Sequence, residues 1–221
     1  MQILRCSSAV LLLIASSLAA PKTHTIVLGK AVAIKLPGAQ GSETEARIRP
    51  LLIDDRLKEY TTGAAHDVTD RVFVIRRVFR LNDTLPSETG KPARFIWRLG
   101  GWLSVDRQTR RITQLNLPFF DPQISETSWF RDYAAYCGNS DDGGKAYAMV
   151  FQLGRRKPLL KQEFPGSSCP APGWEREPLR VTFDPPGVEK AGFVVRSRNA
   201  EYDINSQEPD ESKEPDKEDK P

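Results

Sequence analysis

Apolar and polar residues alternate with a period of two along most of this chain, the pattern of strands buried on one face. In the run from Ile26 to Leu36 the even positions Ile26, Leu28, Val32, Ile34 and Leu36 are apolar, with Lys30 as the one interruption. Phe95, Trp97 and Leu99 alternate with Arg94, Ile96 and Arg98, and Leu179, Val181 and Phe183 with Arg180 and Thr182. Tyr147, Met149, Phe151 and Leu153 share one face of a further run. Val72 to Ile75 is apolar on both faces, as a central strand is, and Arg76-Arg77 then break its register, which predicts a β-bulge.

Turn residues separate these runs. Pro37-Gly38, Asp54-Asp55, Asp106 to Arg110, Asp141 to Gly144, Gly154 to Pro158 and Asp184 to Gly187 supply the conformations that tight connections need. Gly100-Gly101 reads as a break between two tryptophan-bearing strands, and Gly63 to Asp70 as a loop. Helix signals are few. Ser42 to Glu45 fits a capping box cut short by Pro50, and Gln123 to Tyr133 has room for one short helix. About ten short strands at hairpin spacing predict an all-β domain of antiparallel sheets with little helix, a sandwich or an open barrel ahead of a small partial propeller.

The two ends depart from this pattern. Arg5, the apolar run Ala9 to Ala15 and the small residues Ser17 and Ala19 have the layout of a secretory signal peptide cleaved after Ala19. That apolar run is shorter than the about 20 residues a membrane span needs. The last sixteen positions, 206–221, hold Pro, Glu, Asp and Lys without one apolar side chain, and a disordered acidic tail is expected there. The chain is therefore read as a leader over 1–19, one β-rich domain over 20–205 and a tail over 206–221. Secretion or a periplasmic location follows from the leader.

Charge sharpens this division. The 221 residues carry a formal net charge of +3. Residues 1–19 contribute Arg5 alone, and residues 201–221 contribute nine acids against three lysines, so the body between them stands at +8. A body of that charge attracts anionic surfaces. The candidate contacts are the clusters Arg76, Arg77 and Arg80; Arg107, Arg110 and Arg111; and Arg155, Arg156 and Lys157. Anionic lipid and acidic polysaccharide are the partner classes this leaves open; nucleic acid is not expected for an exported chain, nor is a transmembrane segment in its mature form. The competing reading is that the same charges keep a β-domain soluble and block edge pairing.

Of three cysteines, Cys6 falls in the leader, and Cys137 and Cys169 remain as an even pair in an oxidising compartment. A disulfide between them is expected, worth about 3–4 kcal/mol in the chain-entropy model. No P-loop, nucleophile elbow, zinc-protease or dinucleotide motif is present, and no metal or cofactor is expected. The one short constellation with acid–base chemistry is His66, Asp67 and Asp70. Two readings follow: a non-enzymatic exported β-domain that binds an anionic envelope or extracellular ligand, and a hydrolase using carboxylates or the His66/Asp67/Asp70 group.

Overall fold

Fourteen strands and no helix make up the described part of the chain, arranged as three antiparallel sheets. The computed structural model describes residues 25–37, 42–87, 90, 92–140, 142–164, 171–176, 179–183 and 191–194. The leader, the acidic tail and Cys169 lie outside them.

The first sheet contains β1 (Ile26–Leu28), β2 (Val32–Pro37), β3 (Glu43–Ile53), β4 (Arg56–Asp67), β5 (Val72–Asn82), β6 (Phe95–Asp106) and β7 (Ile112–Gln114). Its order is β1-β3-β4-β5-β6-β7, with β2 also paired to β3. The register shift between Arg76 and Val78 is the bulge the two arginines predict, and it keeps one face continuous. Phe73 and Ile75 before the bulge, and Val78 after it, point into the same interior.

The sheet rolls on itself without closing into a barrel. At one end of the roll, Ile26 and Leu28 of β1 pack with Ile112 of β7 around Leu51, Phe73 and Val105. At the other, Ile34 and Leu36 of β2 meet Trp97 and Leu99 of β6 around Ile48 and Val78.

The second sheet has the order β11-β10-β9-β8, from β8 (Thr127–Phe130), β9 (Tyr133–Asn139), β10 (Ala146–Gln152) and β11 (Leu160–Phe164). It lies between the other two. Ala134, Tyr136, Met149 and Phe151 face the outside of the rolled sheet at Val74 and Trp102. Tyr133, Ala135, Cys137, Ala148 and Val150 face Val181 and Phe183 of the third sheet. Burial on both faces explains the near-continuous small and apolar sequence of β9 and β10. The third sheet holds β12 (Pro172–Arg176), β13 (Leu179–Phe183) and β14 (Ala191–Val194). Trp174 Nε1 ties it to the second by donating to the Ser128 carbonyl at 3.1 Å.

Four local expectations need correction, each for a physical reason. Ile26 to Leu36 is two strands, because Pro50 of β3 has no N–H to offer a neighbour and its ring fills the space beside Gly29. A Cβ on Gly29 would lie 2.7 Å from Pro50 Cγ. The stretch with the capping-box pattern runs into strand β3, where Glu43, Thr44 and Glu45 pair with Pro37, Leu36 and Lys35 of β2. Gly100-Gly101 interrupts nothing: β6 runs unbroken past it, and Gly100 leaves room for the Arg77 side chain. Gln123 to Tyr133 forms turns followed by β8, since the Pro122 and Ser125 carbonyls are taken by the Arg76 guanidinium instead of helical amides.

Candidate functional site

His66 stands at the end of β4, not in a loop. Gly63, at φ 73°, absorbs a bulge there that lets the strand continue to Asp67. The His66 Nε2 lies 2.7 Å from the Arg131 carbonyl oxygen. A carbonyl only accepts, so Nε2 carries the proton. The ring also stacks on Trp129 at 5.9 Å, and Trp129 meets Trp102 edge-on at 5.2 Å. Asp67, the next residue along the strand, pairs with Arg107 at 2.5 Å. Asp70 is exposed in the turn before β5, and its carbonyl accepts from Arg107 Nη1 at 3.1 Å. His66 is thus held by Arg131, while the Asp67 carboxylate and the Asp70 carbonyl share Arg107, and the three do not bond to one another.

The arginine clusters divide in the same way. Arg76 is enclosed, donating to the carbonyls of Gly100, Ser125 and Pro122 at 2.9, 3.3 and 2.6 Å. Burial pushes its guanidinium down to about 10, against the opposing charges of Asp121 and Glu126. It clamps the 121–126 segment to the first sheet. Arg77 pairs with Glu59 at 3.0 Å. Arg107 holds Asp67 and lies over the Phe73 ring, Arg110 stands 3.5 Å from Asp54, and Arg111 is exposed beside β7. Arg155 donates to Gln152 at 2.7 Å, while Arg156 and Lys157 are exposed in the turn before β11.

Arg80 differs from these. It is exposed near the far end of β5, and its guanidinium carbon lies 4.9 Å from the Phe95 ring and 5.6 Å from the Trp97 ring. Trp97 is fixed from the other side by Tyr60, edge-on at 5.1 Å. Held against two rings and still exposed, this guanidinium is suited to an anion.

Around Arg80 the hairpin of β5 and β6 runs out past the packed core. Leu81 faces Ile96, and Asn82 faces Phe95, across the two strands. Leu81, Leu85 and Phe95 are 46%, 60% and 49% exposed. Arg94 pairs with Asp83 at 2.9 Å, and half-buried Arg98 faces Phe79 one step further back. The alternation places Phe95 and Trp97 on a core face; Trp97 does pack against the Ile48–Val78 cluster, and Phe95 is exposed. Their alternation with Leu99 looks like that of a core strand, and the one available signal was that it continues up to a long polar connection.

Elsewhere, a hollow of about 450 Å³ is lined by Ile26, Val27, Leu28, Ala65, Phe73 and Arg107. Its only charged side chain is the arginine already held by Asp67. Among the described residues no three His, Cys, Asp or Glu side chains gather as a metal site, and no helix is long and apolar enough to cross a membrane. No protein-family model, curated protein or solved structure matches the chain, so the case for a site rests on its geometry.

Proposed function

We propose that this chain is an exported, non-catalytic β-domain that attaches to an anionic surface of the cell envelope or its surroundings, lipid or acidic polysaccharide. The observation that carries the reading is Arg80, an exposed guanidinium set on two aromatic rings at the end of a hairpin. The +8 body supplies the long-range attraction, and Arg80 with its neighbours supplies a fixed point of contact. The charged groups nearer the core are committed to carbonyls and carboxylates that hold turns and sheets in place.

Export rests on the leader pattern of residues 1–19, and we propose with it the disulfide Cys137–Cys169. Cys137 is buried in the cluster of Phe164 and Phe183. Cys169 follows Phe164 by five positions and precedes Pro172, which pairs with Phe183, by three. Both chain neighbours of Cys169 therefore lead back to the cluster that holds Cys137.

The test is retention of the mature chain on an immobilised sulfated polysaccharide at low ionic strength, with an uncharged dextran as the control. Binding to the first alone, released by salt, is the expected result. Passage through both columns, together with no binding to vesicles containing phosphatidylglycerol, would sink the reading.

A further inference from the structure

We infer that the face of the second sheet at Phe119, Tyr147 and Lys161 is a sugar-stacking site, which takes one residue of an acidic polysaccharide with its ring on the two aromatic side chains and its carboxylate on the lysine. The charge of this ligand rests on the anion-binding reading above, narrowed to polysaccharide, while the site itself is separate from the β5–β6 hairpin.

The backbone presents Phe119 under strain. The residue occupies the third position of the turn Leu117 to Phe120, closed by the Phe120 amide donating to the Leu117 carbonyl at 3.3 Å. Its φ is 60°, a conformation that favours glycine. The side chain there is nonetheless large and apolar, and it is 39% exposed. Three contacts fix the turn against β9. Tyr136 Oη donates to the Pro118 carbonyl at 2.9 Å, and the Asn139 amide donates to the Phe119 carbonyl at 2.8 Å. Gly138 leaves open a space in which a Cβ would lie 2.9 Å from Phe119 Cβ. A strained, firmly held and exposed ring adds little to a core, and such outliers gather at binding sites.

The sheet face around this ring suits a sugar. Paired strand residues point to one side, so Tyr147 and Met149 of β10 share a face with Glu163 and Lys161 of β11. Met149 is buried while Lys161 and Glu163 are exposed, so the cover given by the first sheet ends before β11. The Tyr147 ring lies 5.3 Å from that of Phe119, tilted by 47°. The Lys161 ammonium stands over both, 3.8 Å from the Phe119 centroid and 4.4 Å from the Tyr147 centroid, with no hydrogen bond or ion pair among the described residues. Lys145 and Glu163 pair at 3.0 Å beside Tyr147.

A pyranose offers an apolar face of C–H groups to the rings and a rim of hydroxyls to Tyr147, Lys145 and Glu163. Cation–π contact at an exposed site is weak, so a sugar carboxylate draws Lys161 off the rings and uncovers them for stacking. A bilayer fits less well, because the Lys145–Glu163 pair would have to leave water together with the rings.

The experiment is calorimetric titration of the full mature chain at low ionic strength with hexagalacturonate, and with a linear polyphosphate of similar charge that has no ring to stack. The variants are Phe119→Asn, which removes the ring and keeps a residue tolerant of positive φ, and Lys161→Gln, which alters an exposed side chain. Wild type is expected to bind both ligands. Phe119→Asn should lose about tenfold in affinity for hexagalacturonate and none for polyphosphate. Its thermal unfolding should match wild type, because relief of the left-handed strain offsets the lost ring contacts. Lys161→Gln should lose about threefold for hexagalacturonate, and it provides the readout if Phe119→Asn fails to fold.

Polyphosphate binding without hexagalacturonate binding overturns the sugar site and leaves the anion-binding reading in place. Failure on both ligands, with no vesicle binding, overturns the two together. Unchanged hexagalacturonate affinity in either variant, or an equal loss on both ligands in Phe119→Asn, overturns the stacking. Vesicle binding that Phe119→Asn weakens assigns this face to lipid, and a wild-type dimer that it dissolves assigns the face to a second copy of the chain. Either result overturns the inference.

Discussion

Asp106 shows how this protein uses its charged residues. It is buried at the end of β6, where its carboxylate accepts from Arg71 Nε and Nη2 at 3.0 and 2.6 Å and from the amides of Gln108 and Thr109 at 2.8 and 3.0 Å. Arg71 first, then those amides, hold its carboxyl far below the usual carboxylate range, more than offsetting its burial. A carboxyl depressed in the folded state adds stability above its unfolded value, about 4, and that stability is lost as pH falls further. The variant Asp106→Asn should therefore be less stable than wild type by about 2–3 kcal/mol at neutral pH. The gap should narrow as pH drops from about 4 toward 2. Urea unfolding across that range checks it, and a gap independent of pH would contradict the account. Residue patterns alone did not reveal such roles. Arg71 and Asp106 are 35 positions apart, and of Arg76 and Arg77, read together as a basic cluster, the first is clamped to the Pro122 carbonyl while the second, in the bulge, pairs with Glu59.

At the scale of elements, period two made most of the first sheet and β10 legible, together with the bulge at Arg76. The errors share a cause, which is that neighbouring strands decided what local signals left open. Ser42 to Glu45 has the residues of a helix start, but β2 pairs with it from Glu43 onward. Gly29 and Pro50 meet only across the sheet, and their contact divides β1 from β2. Gly29→Ala should thus cost about 1–3 kcal/mol, since its Cβ would press into the Pro50 ring. Gly144→Ala is the control, because the nearest atom to its added Cβ is 3.5 Å away. It should shift stability by less than about 0.5 kcal/mol. Equal effects in thermal melts of the two variants would show that the Gly29–Pro50 contact is not what shapes this edge. The candidate site eluded the pattern for a related reason: Phe95 alternates with Trp97 and Leu99 like a core residue, and only the end of the packing at Trp97 leaves it exposed.

For the whole molecule, three sheets stack so that the middle one is buried on both faces and the third adds the outer cover. That cover is small, with strands of five, five and four residues. A Cys137–Cys169 bridge would anchor the chain on its way into it. Reduction should lower the melting temperature by on the order of 10 °C, and mass spectrometry without reductant should find the two cysteines joined. Free thiols on both would refute the bridge. The all-β class was readable from sequence because alternation is a local property. The stacking order was not, because β9 and β10 show only that they are buried twice, not by what.

The central claim is that a basic exported domain binds an anionic surface through Arg80 and its hairpin. Its most direct test is the affinity of the mature chain and of Arg80→Gln for phosphatidylglycerol-containing vesicles, measured across a series of salt concentrations. The account predicts that wild-type binding weakens steeply as salt rises, and that Arg80→Gln binds more weakly at low salt with a shallower dependence. Identical affinities and identical salt dependence for the two proteins would contradict it.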